Sequence, residues 1–154
     1  INTLAKEHKL PVIISTHPRT QKRLNDLGII FHPLVKLLKP LGFLDYIKLQ
    51  ISSKTTLSDS GTINEESSIM NFPALNLREV HERPEGMEEG VVIMTGLEKE
   101  RIMQCLDIIV DQPRGGDRLM RQVGDYSMPN VSDKMVRIIY SYTDYVNRVV
   151  WKKY

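Results

Sequence analysis

Along this chain, apolar positions alternate between short extended runs and stretches at helical spacing. Residues 9–15 carry the β-branched run Val12-Ile13-Ile14 and read as a strand, preceded by a helix end with Leu4 on its inward face. Residues 16–27 pass from a turn into a helix with Leu24 and Leu27 apolar, closed by Gly28, and Ile29-Ile30-Phe31 reads as a short strand. Residues 43–52 place Leu44, Ile47 and Ile51 at helical spacing. Next come an extended Thr55-Thr56-Leu57, a helix over 62–70, a strand over 74–77 and another over 90–94. Residues 97–110 form an amphipathic helix with Ile102, Leu106, Ile109 and Val110 facing in. Pro113 and Gly115-Gly116 break it, a short helix is predicted over 118–123, and residues 132–152 form a long last helix. The tyrosines and tryptophan on that last helix are spaced too irregularly for a heptad seam.

Strands alternating with helices predict an α/β fold, a parallel sheet covered on both faces. In such folds ligands sit beyond the carboxyl ends of the strands. His17, Ser60 and Arg83 all follow predicted strands and so share that edge.

Composition narrows the picture only modestly. Of 154 residues, 41% are hydrophobic and 26% charged, which describes an ordinary globular domain. A net charge of +2 gives no footing for nucleic acid, and no window approaches a membrane span, so a cytoplasmic protein is expected. The single cysteine, Cys105, falls inside a predicted helix and reads as a buried thiol. No clustered His, Cys and Asp set suggests a metal, and no cofactor is expected. The chain begins with Ile1 in mid-helix, which predicts a piece of a longer protein.

The chemistry concentrates in Ser58-Asp59-Ser60-Gly61-Thr62-Ile63-Asn64-Glu65-Glu66. A turn of small residues before a helix leaves backbone N–H groups free to meet an anion. Glu66, one turn further in, is placed to grip a sugar diol, so the layout suits a nucleotide diphosphate with its ribose. The other reading is a well-capped helix, with Thr62 and Glu65 forming a capping box. Arg83 offers a planar fork for phosphate, stiffened by Pro84; its alternative is an ion pair with Glu82 or Glu85. The basic loop Arg114-Gly115-Gly116-Asp117-Arg118 could close over an anion, although a plain linker is the commoner use.

This turn, followed by Phe72-Pro73-Ala74-Leu75-Asn76-Leu77-Arg78 and by His81-Glu82-Arg83-Pro84-Glu85-Gly86, resembles the non-hydrolysing UDP-N-acetylglucosamine 2-epimerase family. The likeness runs from about residue 11 to residue 111, and its Asp59–Thr62 turn and HERPEGMEEG loop look most like the branch that makes UDP-N-acetyl-L-fucosamine. The resemblance implies a Rossmann-like domain, the second half of a glycosyltransferase-B-like architecture, with residues 1–130 as the UDP-binding domain and 131–154 as a helix crossing back to a first domain. It also implies roles. Ser60, Gly61 and Thr62 would hold the diphosphate, Glu66 the ribose, Tyr46 the uracil, with Arg83 and His17 as further contacts. Thr62 stands where the family has a second glycine, and Phe43 is the alternative to Tyr46, the other of the two being core. No catalytic residue is expected in this chain, since the family's proton-transfer carboxylates belong to the first domain. The implied reaction inverts carbon 2 of a UDP-sugar by eliminating and re-adding UDP, in a full-length homodimer serving surface polysaccharide synthesis. The turn and glutamate alone would equally fit a glycosyltransferase of this architecture or a non-catalytic nucleotide-binding module.

Overall fold

A computed structural model describes residues 1–153. Its elements run α1 (Asn2–His8), β1 (Val12–Ser15), α2 (Pro18–Asp26), β2 (Val35–Leu38), α3 (Phe43–Ser52), β3 (Thr56–Ser58), α4 (Ile63–Met70), β4 (Ala74–Asn76), α5 (Pro84–Glu88), β5 (Ile93–Met94), α6 (Lys99–Ile109), a 3₁₀ turn (Gly124–Tyr126) and α7 (Val131–Val149). All strand pairs are parallel, which gives the expected α/β, Rossmann-like arrangement. By hydrogen bonding the strands form two sheets rather than one: β1-β2, and β3-β4-β5 with β4 in the centre.

Two strand expectations shift. Ile29-Ile30-Phe31 forms no strand; the partner of β1 is Val35–Leu38, beyond Pro33, in register Val12 to Val35. Ile30 stays exposed at 87%, because the chain after α2 has nothing to cover it. The helix predicted over 118–123 is also absent, replaced by an irregular stretch and the 3₁₀ turn. Conversely, Arg83 begins a short helix, Pro84 taking its first position where a missing N–H costs nothing.

The core lies on both faces of β4, since successive strand residues point to opposite sides. Ala74 joins Ile63, Phe72, Val91, Val92 and Val123 on one side; Leu75 joins Cys105, Leu106 and Ile109 on the other, with Leu4 and Ile102 packed against them. Each fully covered side chain such as Ile63, Phe72 or Leu75 contributes about 1.5–3 kcal/mol. Cys105 is buried, as its place on α6 predicts.

α3 departs from its hydrophobic pattern. Its only buried residue is Gln50, while Leu44 is 79% and Phe43 74% exposed. Neither Phe43 nor the half-covered Tyr46 is core, contrary to expectation.

A strap of chain over residues 112–126 binds the back of the domain. Arg114 donates to the carbonyls of Ser53 and Lys54, just past α3, and Arg118 donates to those of Ser68 and Ile69, both at 2.7 Å. Asn71, in the left-handed region at φ 53°, closes α4 and donates to the Gly115 and Asp117 carbonyls. The Arg114–Arg118 loop is therefore a fastener at helix C-termini, where cations are favoured, and not a lid.

α7 lies apart from this core, with no buried residue along its described length. Val131, Met135, Ile138, Tyr142, Tyr145 and Val149 recur at steps of four and three and are all exposed. The aliphatic residues thus complete a heptad-like stripe that the aromatics alone do not show.

Candidate functional site

The site forms where β3 and β4 end and α4 begins. Ser58 closes β3, and its Oγ accepts the Ser60 N–H at 3.1 Å, which turns the chain sharply. Ser60 Oγ then lies 2.9 Å from Thr62 Oγ1 and accepts the Thr62 N–H at 3.3 Å. The Gly61 carbonyl is drawn inward by Asn64, whose Nδ2 donates to it at 3.0 Å. Among the described residues the Gly61 and Ile63 N–H groups find no acceptor, so they remain for an anion at the helix start.

Thr62 makes no side-chain capping bond, so the capping box does not form. Glu65 has another partner: Arg83 Nε donates to its Oε1 at 2.5 Å. This bond raises the guanidinium pKa further above its already high value. Of the pairings considered from sequence, only that with Glu82 is present, at 3.8 Å; Glu85 instead accepts from the Tyr126 hydroxyl at 2.7 Å.

The pair with Glu65 holds the guanidinium close against the turn at Gly61. A Cβ at Gly61 would lie 2.2 Å from Arg83 Nη1 and 3.1 Å from its Cζ. A side chain at Gly61 would thus meet the end of Arg83 as placed here, while the Gly61 φ lies outside the left-handed region. The arrangement also settles an electrostatic difficulty. A carboxylate beside an open helix start would repel an anion, and Arg83 compensates the charge of Glu65 there.

Glu66 points to the other side of α4. Its Oε2 accepts Gln50 Nε2 at 2.6 Å across from α3. Tyr46 lies one turn before Gln50 on the same helix. Burial and then the charge of Glu66 push the Tyr46 phenol above its ordinary pKa, with the side chains of Gln50 and Ser58 opposing. The aromatic, the carboxylate and the small-residue turn therefore meet around one helix start: Tyr46, Ser60, Gly61, Thr62, Glu66 and Arg83.

His17 belongs to the other sheet. It follows β1, and its Nδ1 accepts the Arg19 N–H at 3.3 Å, capping α2 while the residue stays exposed. The sequence did not single out Gln50 or Asn64. The signal for Gln50 was its four-residue step from Tyr46; for Asn64 it was the position three residues after Gly61.

Among the described residues, no group of three His, Cys, Asp or Glu side chains could hold a metal, and no helix is long and apolar enough to cross a membrane.

The sequence model of the family described as UDP-N-acetylglucosamine 2-epimerase matches residues 1–140. The chain belongs to this family. A relative named UDP-N-acetylglucosamine 2-epimerase from Methanococcus maripaludis is 34% identical over 118 residues, 74% of this chain and 32% of that protein. Another of that name, from Neisseria meningitidis, is 30% identical over 88% of this chain and 37% of its own length. Among solved structures, the Rickettsia bellii UDP-N-acetylglucosamine 2-epimerase superposes with a TM-score of 0.85 at 46% identity, covering 98% of this chain and 42% of its own. The Methanocaldococcus jannaschii enzyme, solved with UDP-GlcNAc and UDP, gives 0.77 at 27% identity, over 90% of this chain and 38% of its own. The chain therefore spans between about a third and two-fifths of these relatives, and membership separates it from the glycosyltransferases that share the turn.

Proposed function

We propose that this chain is the UDP-binding half of a UDP-N-acetyl-aminosugar 2-epimerase. The observation that carries the reading is the convergence at the start of α4: open N–H groups, Gly61 under the Arg83 fork, and Glu66 beside Tyr46. In this reading the diphosphate rests on the Ser60–Thr62 turn and Arg83, the ribose hydroxyls on Glu66, and the uracil against Tyr46. His17 contributes from the neighbouring sheet edge.

Inversion at carbon 2 proceeds by elimination and re-addition of UDP. It needs a base near carbon 2 and a firm hold on the departing diphosphate. This chain supplies the hold: fixed N–H groups and a guanidinium stabilise the charge that develops on the leaving group. The proton-transferring carboxylates are assigned to a first domain, to which α7 crosses back and against which its apolar stripe packs. Residues 1–130 then form the nucleotide domain and 131–154 the crossing helix. The full-length protein is a cytoplasmic homodimer that feeds nucleotide sugars to surface polysaccharides such as capsule or O-antigen. The resemblance of the Asp59–Thr62 turn and the HERPEG segment favours the branch forming UDP-N-acetyl-L-fucosamine.

Calorimetric titration of the chain with UDP, using CMP and ADP as controls, tests the nucleotide assignment. Selective UDP binding is expected, weakened at least about tenfold in Glu66→Ala, equivalent to about 1.4 kcal/mol. Equal binding of ADP, or an unaffected Glu66→Ala, would refute it. Epimerisation by this chain alone would refute the assignment of the acid and base to another domain.

A further inference from the structure

We infer that Gln50 is a positioning residue, one that fixes the Glu66 carboxylate for a ribose diol and so sets the preference for ribonucleotides over deoxyribonucleotides. The inference rests on the reading of Glu66 as the ribose ligand. Gln50 is 3% exposed, the only buried residue of a helix that leaves Phe43 and Leu44 in solvent. Its Nε2 donates to Glu66 Oε2 at 2.6 Å. Because a carboxylate only accepts, the amide must turn its NH₂ that way. The Gln50 Oε1 is then buried without a hydrogen-bond partner.

An unpaired buried acceptor is unfavourable, and an apolar side chain of this length would avoid it. The amide also faces the Tyr46 phenol, but its short bond is the one to Glu66, and positioning of that carboxylate accounts for an amide here where packing does not. The bond from α3 occupies one lone pair of Oε2 and restricts the rotation of a half-buried glutamate. Oε1 and the second lone pair of Oε2 remain to accept two hydroxyls, the requirement of a cis-diol. Without Gln50 the carboxylate would keep its charge but lose its aim. Tyr46 stands one turn away on the same helix, so a single rigid element sets both the base platform and the sugar contact.

The test compares UDP with 2′-deoxy-UDP on wild type, Gln50→Met, Glu66→Ala and the double variant, with melting followed in parallel. Gln50→Met is expected to bind UDP about tenfold more weakly and 2′-deoxy-UDP within about twofold of wild type. Its Tm should be equal or higher, and in the Glu66→Ala background it should change nothing. Gln50→Leu serves as a second variant of different shape. Equal losses for both nucleotides with a lower Tm, failure of both variants to fold, or an undiminished effect in Glu66→Ala would each assign Gln50 a merely structural role and overturn the inference. Wild-type chain that ignores UDP, or binds it without Glu66, would instead overturn the reading of the site on which the inference stands.

Discussion

Replacing Gly61 by alanine isolates the contact between the Ser60–Thr62 turn and Arg83. The new Cβ would lie 2.2 Å from Nη1, far inside van der Waals contact, so the end of the Arg83 side chain must shift. Backbone strain does not contribute, because Gly61 is not among the glycines at positive φ. Full displacement of Arg83 would break its 2.5 Å bond to Glu65, a pair whose side chains are 28% and 31% exposed. A hydrogen bond between charged groups is worth about 1.5–3 kcal/mol, and partial solvent screening reduces that here to roughly 1–2 kcal/mol. At about 2–4 °C per kcal/mol for a chain of this size, Tm should fall by roughly 2–8 °C. UDP affinity should fall about tenfold as the guanidinium leaves the turn. The decisive assay is a cycle with Arg83→Ala, read by thermal melting. With the arginine gone, Gly61→Ala should reverse sign and stabilise by about 0.4–1 kcal/mol, because alanine restricts the unfolded chain. An equal penalty in both backgrounds would refute the reasoning, since the glycine would then be needed for something other than Arg83.

Two further perturbations probe the frame of the site. Ser68 is 1% exposed and its Oγ accepts the Val123 N–H at 2.9 Å, so Ser68→Ala strands a buried donor. It should cost about 1–3 kcal/mol in urea denaturation while UDP affinity stays within about twofold; an unchanged midpoint would show that the donor finds another partner. Tyr126 donates to Glu85, and this bond above all holds the Glu85 carboxyl below the usual range. A depressed carboxyl adds stability above its unfolded pKa, near about 4.3, and loses it as pH falls through the folded value. The stability advantage of wild type over Tyr126→Phe should therefore be level above about pH 5 and shrink toward pH 3. A difference that grows on acidification would contradict the assignment.

What could be read from the sequence followed from local physics. β1, α4, β4 and α6 announce themselves by periodicity, and the small-residue turn announces its N–H groups. The missed features depend on contacts between distant segments. β2 lies at Val35–Leu38 because pairing with β1, and not the stronger apolar run at Ile29-Ile30-Phe31, selects the strand. α3 buries Gln50 against Glu66 in preference to Leu44, which no hydrophobic pattern can foretell. Glu65 abandons the capping role its spacing suggests because Arg83, 18 residues later, makes the stronger charged bond.

The strap over residues 112–126 also bears on how long the Ser60–Thr62 turn stays assembled. Its bonds join residues far apart in sequence: Arg114 to Ser53 across 61 positions, Arg118 to Ser68 across 50, Val123 to Ser68 across 55 and Tyr126 to Glu85 across 41. Contacts of such separation form only after the intervening chain has surrendered its loop entropy, so they are expected to complete late on the folding route. Interactions absent from the transition state govern the rate of opening more than the rate of closing. Loss of Arg114 or Arg118 is therefore expected to speed the opening of a turn that neither residue touches, more than it slows refolding.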